Sequence, residues 1–270
     1  MTVTSAPSSS PRLSRTGRYG PVALVTGASD GIGREFARAL GAKKFDLVLV
    51  ARRTDRLQAL ADELTSQNDI NVTIIAANLG EAAEVARVIK ATETLDIGML
   101  VASAGFGSAG SFVDLPVENE LNMVDVNCRA VVDLSSAFAA RFKKRNGGAL
   151  ILFGSLVGFQ GVSYTSTYAA TKAFVQSFAE GLRGELKPFG IDVLAVAPGP
   201  VTTGFGPRSG MKLTLAAKPD MVARVSLAAL GRSTTIIPGW LAKLIAWSLL
   251  PLPRWGKTLA MSLVMKRMSH

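Results

Sequence analysis

The 270-residue chain is predicted to be an α/β protein built on one doubly wound parallel sheet, with helices on both faces and a helical extension at its C-terminal end. Two observations carry this expectation. Short apolar runs of strand length alternate with helical patterns, and right-handed crossovers between such units build a parallel sheet whose ligand site lies at the carboxyl ends of the strands. The first apolar run, Ala23-Leu24-Val25-Thr26, passes through Gly27-Ala28-Ser29-Asp30-Gly31-Ile32-Gly33 into a helical pattern. A Gly-x-x-x-Gly-x-Gly turn there lets the backbone approach a pyrophosphate at a helix N-terminus, where free N–H groups and the dipole favour anions.

A second motif carries chemistry. Ser155 ends the apolar run 149–155, and the sequence Tyr168-Ala169-Ala170-Thr171-Lys172 follows thirteen positions later. In a helix, the four-residue spacing sets Lys172 one turn from Tyr168 on the same face. A phenol titrating near 10 is a poor base at neutral pH, and a neighbouring ammonium lowers that value. The Ser155 hydroxyl could then bond a substrate carbonyl while Tyr168 gives or takes its proton. Tyr-x-x-x-Lys alone also fits an ordinary amphipathic helix with a snorkelling lysine. Combined with the glycine turn, it resembles the short-chain dehydrogenase/reductase family over residues 22–203. The resemblance implies a Rossmann-type fold, hydride transfer from a nicotinamide to a carbonyl carbon, a proton from Tyr168, and polarisation of the oxygen by Ser155. It gives Lys172 two roles, lowering the Tyr168 pKa and holding the nicotinamide ribose.

The elements follow in order. Residues 1–19 are rich in Ser, Pro, Thr and Arg, lack a signal-peptide core and read as a disordered basic leader to a catalytic domain over 20–239. A strand over 22–26 and a helix over 31–42 flank the glycine turn, whose residues Gly27, Ser29, Asp30, Gly31, Ile32 and Gly33 are cofactor candidates. A second strand, 46–51, precedes Arg52-Arg53. An acid about twenty residues after the glycines would hold a ribose 2′-hydroxyl, whereas arginine accommodates a 2′-phosphate. Arg52 stands nineteen residues after Gly33, so NADP(H) is favoured over NAD(H). Helices are expected over 56–67 and 81–90 around a buried strand, 72–77. The family's adenine-side aspartate is replaced by Asn78-Leu79, which keeps an acceptor without the charge.

The strand 97–102 leads to Ser103-Ala104-Gly105 where the family shows Asn-Asn-Ala-Gly, and these departures are expected to weaken the hydrogen bonds that hold the turn. Gly105 suits a backbone passing close to cofactor. In a long helix over 116–144, Asn127 matches the family's helix-kinking asparagine, which holds a water relaying protons from the catalytic lysine. After Ser155, the helix carrying Tyr168 and Lys172 spans 165–187, stopped by Pro188 and Gly190. A sixth strand, 191–197, leads to Pro198-Gly199-Pro200-Val201-Thr202-Thr203, resembling the family's nicotinamide turn. There Val201 would meet the carboxamide and Thr202 the nicotinamide-side phosphates, flanked by Pro198 and Gly199. A glycine-rich stretch, 204–218, reads as a substrate lid, followed by a helix over 219–230 and a short strand over 234–237.

Composition narrows the function. The single cysteine, Cys128, allows no internal disulfide and indicates a reducing, cytoplasmic compartment. The only histidine is His270, so neither a histidine triad nor a histidine-rich metal site is available and metal-free chemistry is expected. The net charge of +10 resides at the ends: three basic residues precede Asp30 and seven follow Asp220 without an acid, while the body between is balanced. With no recognisable basic fold face, nucleic acid is not an expected partner.

All three tryptophans lie in an apolar, basic helical tail, 240–270, interrupted by Lys243, Pro251 and Pro253 and too short to span a membrane. Similar tails occur in a steroid and lipid dehydrogenase-like branch of the family. The tail is expected either to contact an anionic membrane peripherally at its inner face, or to cover the substrate cleft or a subunit interface. The expected activity is NADPH-dependent reduction of a hydrophobic ketone or aldehyde, reversible as alcohol oxidation, with a non-catalytic nucleotide-binding scaffold as the alternative. The resemblance also implies a homodimer or homotetramer paired through its long helices.

Overall fold

The structure, a computed structural model, describes residues 17–204 and 216–268. Seven parallel strands form one sheet: β1 (Val22–Thr26), β2 (Asp46–Ala51), β3 (Val72–Ala76), β4 (Ile97–Ala102), β5 (Gly148–Phe153), β6 (Ile191–Val196) and β7 (Thr235–Ile236). Their order is β3-β2-β1-β4-β5-β6-β7. The helices are α1 (Gly31–Gly41), α2 (Thr54–Asn68), α3 (Ala82–Ala91), α4 (Val117–Val124), α5 (Ala130–Lys144), α6 (Ser166–Leu186), α7 (Pro219–Ala229), α8 (Trp240–Leu249) and α9 (Arg254–Met268). The chain builds outward from β1 to β3 and then crosses to β4 on the other side. That reversal opens a crevice at the carboxyl ends of β1 and β4, where such sheets bind ligands.

Strands β4, β5 and β6 are buried at every position, which is why each reads as a continuous apolar run rather than an alternating one. One face of the sheet packs Phe36, Leu40, Leu57, Leu64 and Val222 from α1, α2 and α7. The other packs Val85, Val88, Leu134, Phe138, Phe142, Val175 and Ala179 from α3, α5 and α6. In α1 the buried Gly33, Phe36, Ala37 and Leu40 recur at helical spacing and form the stripe that turns inward.

The long helix expected over 116–144, with its kink at Asn127, is α4 and α5 joined by a π turn, Asp125–Arg129, centred on Asn127. Two local readings are corrected. β5 stops at Phe153, and Ser155 instead caps a 3-10 turn, Leu156–Phe159. The last residues of the expected leader are ordered: Gly17–Tyr19 form a 3-10 turn, Tyr19 Oη donates to Asp192 Oδ2 at 2.8 Å, and Arg18 pairs with that carboxylate at 3.2 Å. Residues 1–16 and most of the expected lid, 205–215, lie outside the described residues.

The fully buried Phe142 ring lies 6.1 Å from that of Phe138 and against Gly148, which has no side chain to hold it off. Phe142→Ala opens a cavity between α5 and the sheet. We expect it to lower unfolding free energy by about 3–5 kcal/mol, measured by urea denaturation.

Candidate functional site

The glycine turn and the turn after β4 meet at the crevice. Gly27 and Gly31 take left-handed φ values of 67° and 53°. A Cβ on Gly33 would stand 2.5 Å from the Gly27 carbonyl oxygen and 2.6 Å from Ser103 Oγ. One on Gly27 would stand 2.9 Å from the Ala104 backbone. Glycine therefore permits both the turn and the close helix–strand approach. Ser103 Oγ donates to the Thr26 carbonyl, and Ala104 N–H to Thr26 Oγ1 at 3.0 Å. The expected weakening of this turn is thus corrected: serine and a backbone amide tie it to β1.

Asp30 caps α1, accepting the Gly31 N–H at 2.8 Å. Arg53 donates to Ser29 Oγ at 3.1 Å and lies 3.6 Å from Asp30 Oδ2, with Arg56 at 3.9 Å from the same oxygen. The guanidinium that reaches the loop is therefore Arg53, whereas Arg52, singled out from spacing, is exposed. Residues leaving a strand alternate in direction, so adjacent arginines diverge. Arg56 was missed; its signal is position i+3 from Arg53 at the start of α2. Asn78 folds onto its own turn, donating to Glu81 Oε1 at 2.8 Å and accepting from Gly80 N–H at 3.2 Å, while Leu79 is buried.

The second cluster lies at the carboxyl ends of β4, β5 and β6. Ser155, Tyr168, Lys172 and Asn127 are all buried. Helix α6 carries Tyr168 and Lys172 on one face, and the Lys172 ammonium lies 5.6 Å from the phenol ring centroid. Lys172 Nζ donates to the Phe153 carbonyl at 2.9 Å, tying α6 to the end of β5. Gly158 permits the 3-10 turn to lie on α6, since a Cβ there would come within 2.8 Å of the Lys172 carbonyl carbon. Ser155 Oγ donates to the Pro198 carbonyl at 3.4 Å and accepts from Val157 N–H at the same distance. It also bonds the Tyr168 phenol.

Burial dominates the electrostatics of this cluster. It pushes the Tyr168 phenol up to about 12, opposed in part by the Ser155 hydrogen bond. It also pushes the Lys172 ammonium down to about 8. Lys172 is expected to lower the Tyr168 pKa; in the cofactor-free protein burial acts in the other direction on the phenol.

Asn127 is held from two sides. Its Nδ2 donates to the Phe106 carbonyl at 2.9 Å and to Thr171 Oγ1 at 3.1 Å, while its Oδ1 accepts Phe106 N–H at 3.2 Å. A Cβ on Gly105 would come 2.9 Å from that Oδ1 and 3.5 Å from Lys172 Nζ. Thr171, also missed, bonds the Tyr168 carbonyl at 2.8 Å and so links Asn127 to the tyrosine's own helix turn. Its signal was its place between Tyr168 and Lys172.

The turn after β6 is pinned by Thr202 N–H to the Ala217 carbonyl and Ala217 N–H to that of Pro200, both at 2.9 Å. Val201 is buried beside it. The Gly199 backbone is crossed closely by α8, since a Cβ there would meet Ala242 Cβ at 2.9 Å. Above Tyr168 a separate apolar cluster gathers Phe106, Met123, Val162, Ile245, Leu249 and Met261. The inner side of the C-terminal tail therefore packs in the cluster that contains Tyr168. Ser163 and Ser262 fasten it, with their hydroxyl oxygens 3.0 Å apart. Among the described residues no helix is long and apolar enough to cross a membrane.

Comparison with known proteins gives the same direction. Residues 21–212 match the short chain dehydrogenase family. A very-long-chain 3-oxoacyl-CoA reductase of Podospora anserina is 31% identical, over 88% of this chain and 73% of its own length. A short-chain dehydrogenase from Sphingobium yanoikuyae, solved in complex with NADPH, is 34% identical with a TM-score of 0.78, covering 88% of this chain and 94% of its own. A bulky-bulky ketone specific alcohol dehydrogenase from Comamonas testosteroni is 33% identical with a TM-score of 0.76, covering 88% and 93%. With this fold and these relatives, the chain belongs to the short-chain dehydrogenases and is an NAD(P)-dependent oxidoreductase.

Proposed function

We propose that the chain reduces the carbonyl of a hydrophobic ketone or aldehyde with NADPH, reversibly as an alcohol oxidation, and that Tyr168 is its proton donor and acceptor. The observation that carries this reading is the convergence of Ser155, Tyr168, Lys172 and Asn127 beneath the apolar cluster of Phe106, Met123, Val162, Leu249 and Met261. Polar groups able to handle one proton open onto surroundings that favour an apolar substrate. The reductase relative named for very-long-chain 3-oxoacyl-CoA and the alcohol dehydrogenase named for bulky ketones support that substrate class.

The cleft fits a dinucleotide. Gly27, Gly31 and Gly33 let the turn close tightly between β1 and the α1 N-terminus, where Ser29, Asp30 and Ile32 lie beside it and a pyrophosphate would sit. Arg52, Arg53 and Arg56 would receive the 2′-phosphate, Asn78 and Leu79 the adenine, and Ser103, Ala104 and Gly105 the ribose side. Pro198, Gly199, Val201 and Thr202 would hold the nicotinamide end. When bound, the nicotinamide supplies the hydride. The protein's own groups supply the rest. Tyr168, kept neutral by burial, gives its proton to the carbonyl oxygen, which the Ser155 hydroxyl polarises. Lys172 holds the nicotinamide ribose and restores charge beside the tyrosine, and Asn127 orders the path by which the proton is replaced. We place the enzyme in the cytoplasm at the inner face of a membrane, with α4, α5 and α6 pairing it into a homodimer or homotetramer.

Tyr168→Phe should abolish turnover against a panel of ketosteroids, 3-oxoacyl esters and long-chain aldehydes while leaving NADPH affinity nearly unchanged; Lys172→Ala should damage both. Retention of most of kcat by Tyr168→Phe would refute the mechanism. Arg52→Asp and Arg53→Ala should each shift the ratio of kcat/KM for NADPH over NADH downward by roughly ten- to a hundredfold, the worth of a charged hydrogen bond of about 1.5–3 kcal/mol. A third expectation concerns stability. Lys172 has a folded pKa near 8 against an ordinary value of 10.5. Between these values the unfolded chain holds a proton that the cofactor-free folded protein has released, so this lysine's contribution raises stability with pH across that window. Lys172→Met should remove that rise in urea titrations repeated from pH 7.5 to 10.5.

A further inference from the structure

Helices α8 and α9 have two unlike faces. Inward lie Ala242, Ile245 and Leu249 of α8, and Ala260 and Met261 of α9, and all but Ala242 pack in the cluster that contains Tyr168. Outward, Trp240, Leu244 and Trp247 recur along one side of α8, and Trp255, Leu259 and Leu263 along one side of α9. The three tryptophans are 77%, 65% and 74% exposed. Leu250 and Leu252, in the link between the helices, extend the same apolar surface. Large apolar side chains exposed along one side of each helix mark an interaction surface rather than ordinary surface scatter.

Its charge chooses the occupant. Lys243 and Arg254 are exposed in these helices, with Lys257 half-buried beside them, and no acidic residue occurs after Asp220. Pairing with a second copy about a twofold axis would set this patch against itself, and the segment carries no acid to neutralise like charge. An anionic lipid surface supplies the opposite charge without discrete partners, and tryptophan favours its headgroup layer.

Resting on the reductase reading above, we infer that α8 and α9 are a two-faced roof. The outer face seats on an anionic lipid surface, and the inner face closes the chamber over Tyr168, so that an apolar substrate passes from the bilayer to the tyrosine. Gly239, at a left-handed φ of 93°, and the Pro251–Pro253 link bound α8 and mark where the roof departs from the sheet.

The test sediments the full chain with vesicles of phosphatidylcholine alone and of phosphatidylcholine with phosphatidylglycerol, at low and high salt. Binding should require the anionic lipid and weaken with salt. Lys243→Gln with Arg254→Gln should lower partitioning roughly thirtyfold, on the scale of about fivefold per basic residue at an anionic surface. Replacing Trp240, Trp247 and Trp255 by serine should also abolish binding, with circular dichroism confirming the fold. Both variants should keep wild-type kcat/KM for a small water-soluble ketone but lose the gain shown by the wild type when a long-chain ketone is supplied in anionic vesicles.

An intact protein that stays in the supernatant, or binding unchanged in both variants, overturns the inference. So does light scattering that shows these variants dissociating an oligomer while the wild type ignores vesicles, which would give the face to a second copy. If the wild type binds vesicles as described but reduces no ketone in solution or in lipid, the proposed activity is refuted while the lipid seat stands and the substrate route falls.

Discussion

A buried ammonium organises the chemistry of this fold. Lys172 is taken out of water between α6 and the end of β5, and desolvating a charge is expensive unless it is bonded. The Phe153 carbonyl, in the last residue of β5, meets that need. The bond fixes the rotation of α6 against β5. Because α6 is rigid, it also fixes Tyr168 one turn earlier and brings its phenol to the Ser155 hydroxyl. Had β5 continued through Ser155, as its apolar run implied, Ser155 would not sit at the head of a turn. The early end of the strand is therefore part of the site's construction.

The π turn solves a related problem on the other side of the lysine. A regular α-helix consumes its own polar groups and points a mid-helix asparagine along a fixed direction. The extra residue per turn at Asp125–Arg129 moves Asn127 inward, where its amide spans the Phe106 backbone and Thr171. Gly105 leaves room for that amide and for Lys172 Nζ together. Three elements distant in sequence thus share one polar knot at the crevice that the strand order opens. Burial then sets both titrations, holding the tyrosine neutral and making the lysine's charge easy to lose. A bound group bearing charge or hydroxyls would alter that balance directly.

The sheet was legible because buried parallel strands leave continuous apolar runs, and the glycine turn because its three glycines meet independent geometric demands. The pair Tyr168 and Lys172 was legible through helical spacing taken together with the glycine turn. What spacing does not encode is the direction in which a chain leaves a strand. A count of residues points to Arg52, while the contacts of Arg53 with the loop and of Arg56 from the next helical turn are not encoded in it. The Ser103 turn shows the same limit: loss of the usual asparagines looked weakening, yet the serine hydroxyl finds the Thr26 carbonyl 77 residues away. Tertiary acceptors of this kind are invisible to local pattern. Burial of Tyr168 is equally invisible to spacing, and it raises the phenol where spacing gives only proximity to Lys172.

The tail shows how one amphipathic segment answers two demands. Its composition, apolar with three tryptophans and only basic charge, left cover and membrane contact as competing readings. The structure gives the same helices two faces: Leu249 and Met261 pack with Tyr168, while Trp240, Trp247 and Trp255 are exposed. A roof that served only as cover would gain nothing from large apolar groups on its outer side. They cost solubility in water and contribute no packing to the cleft. Nor do the basic residues among them find acids in their own segment, whereas the body of the chain balances its charges. On the proposed reading this asymmetry faces an anionic lipid surface, while the inner sides of the same helices pack with Tyr168.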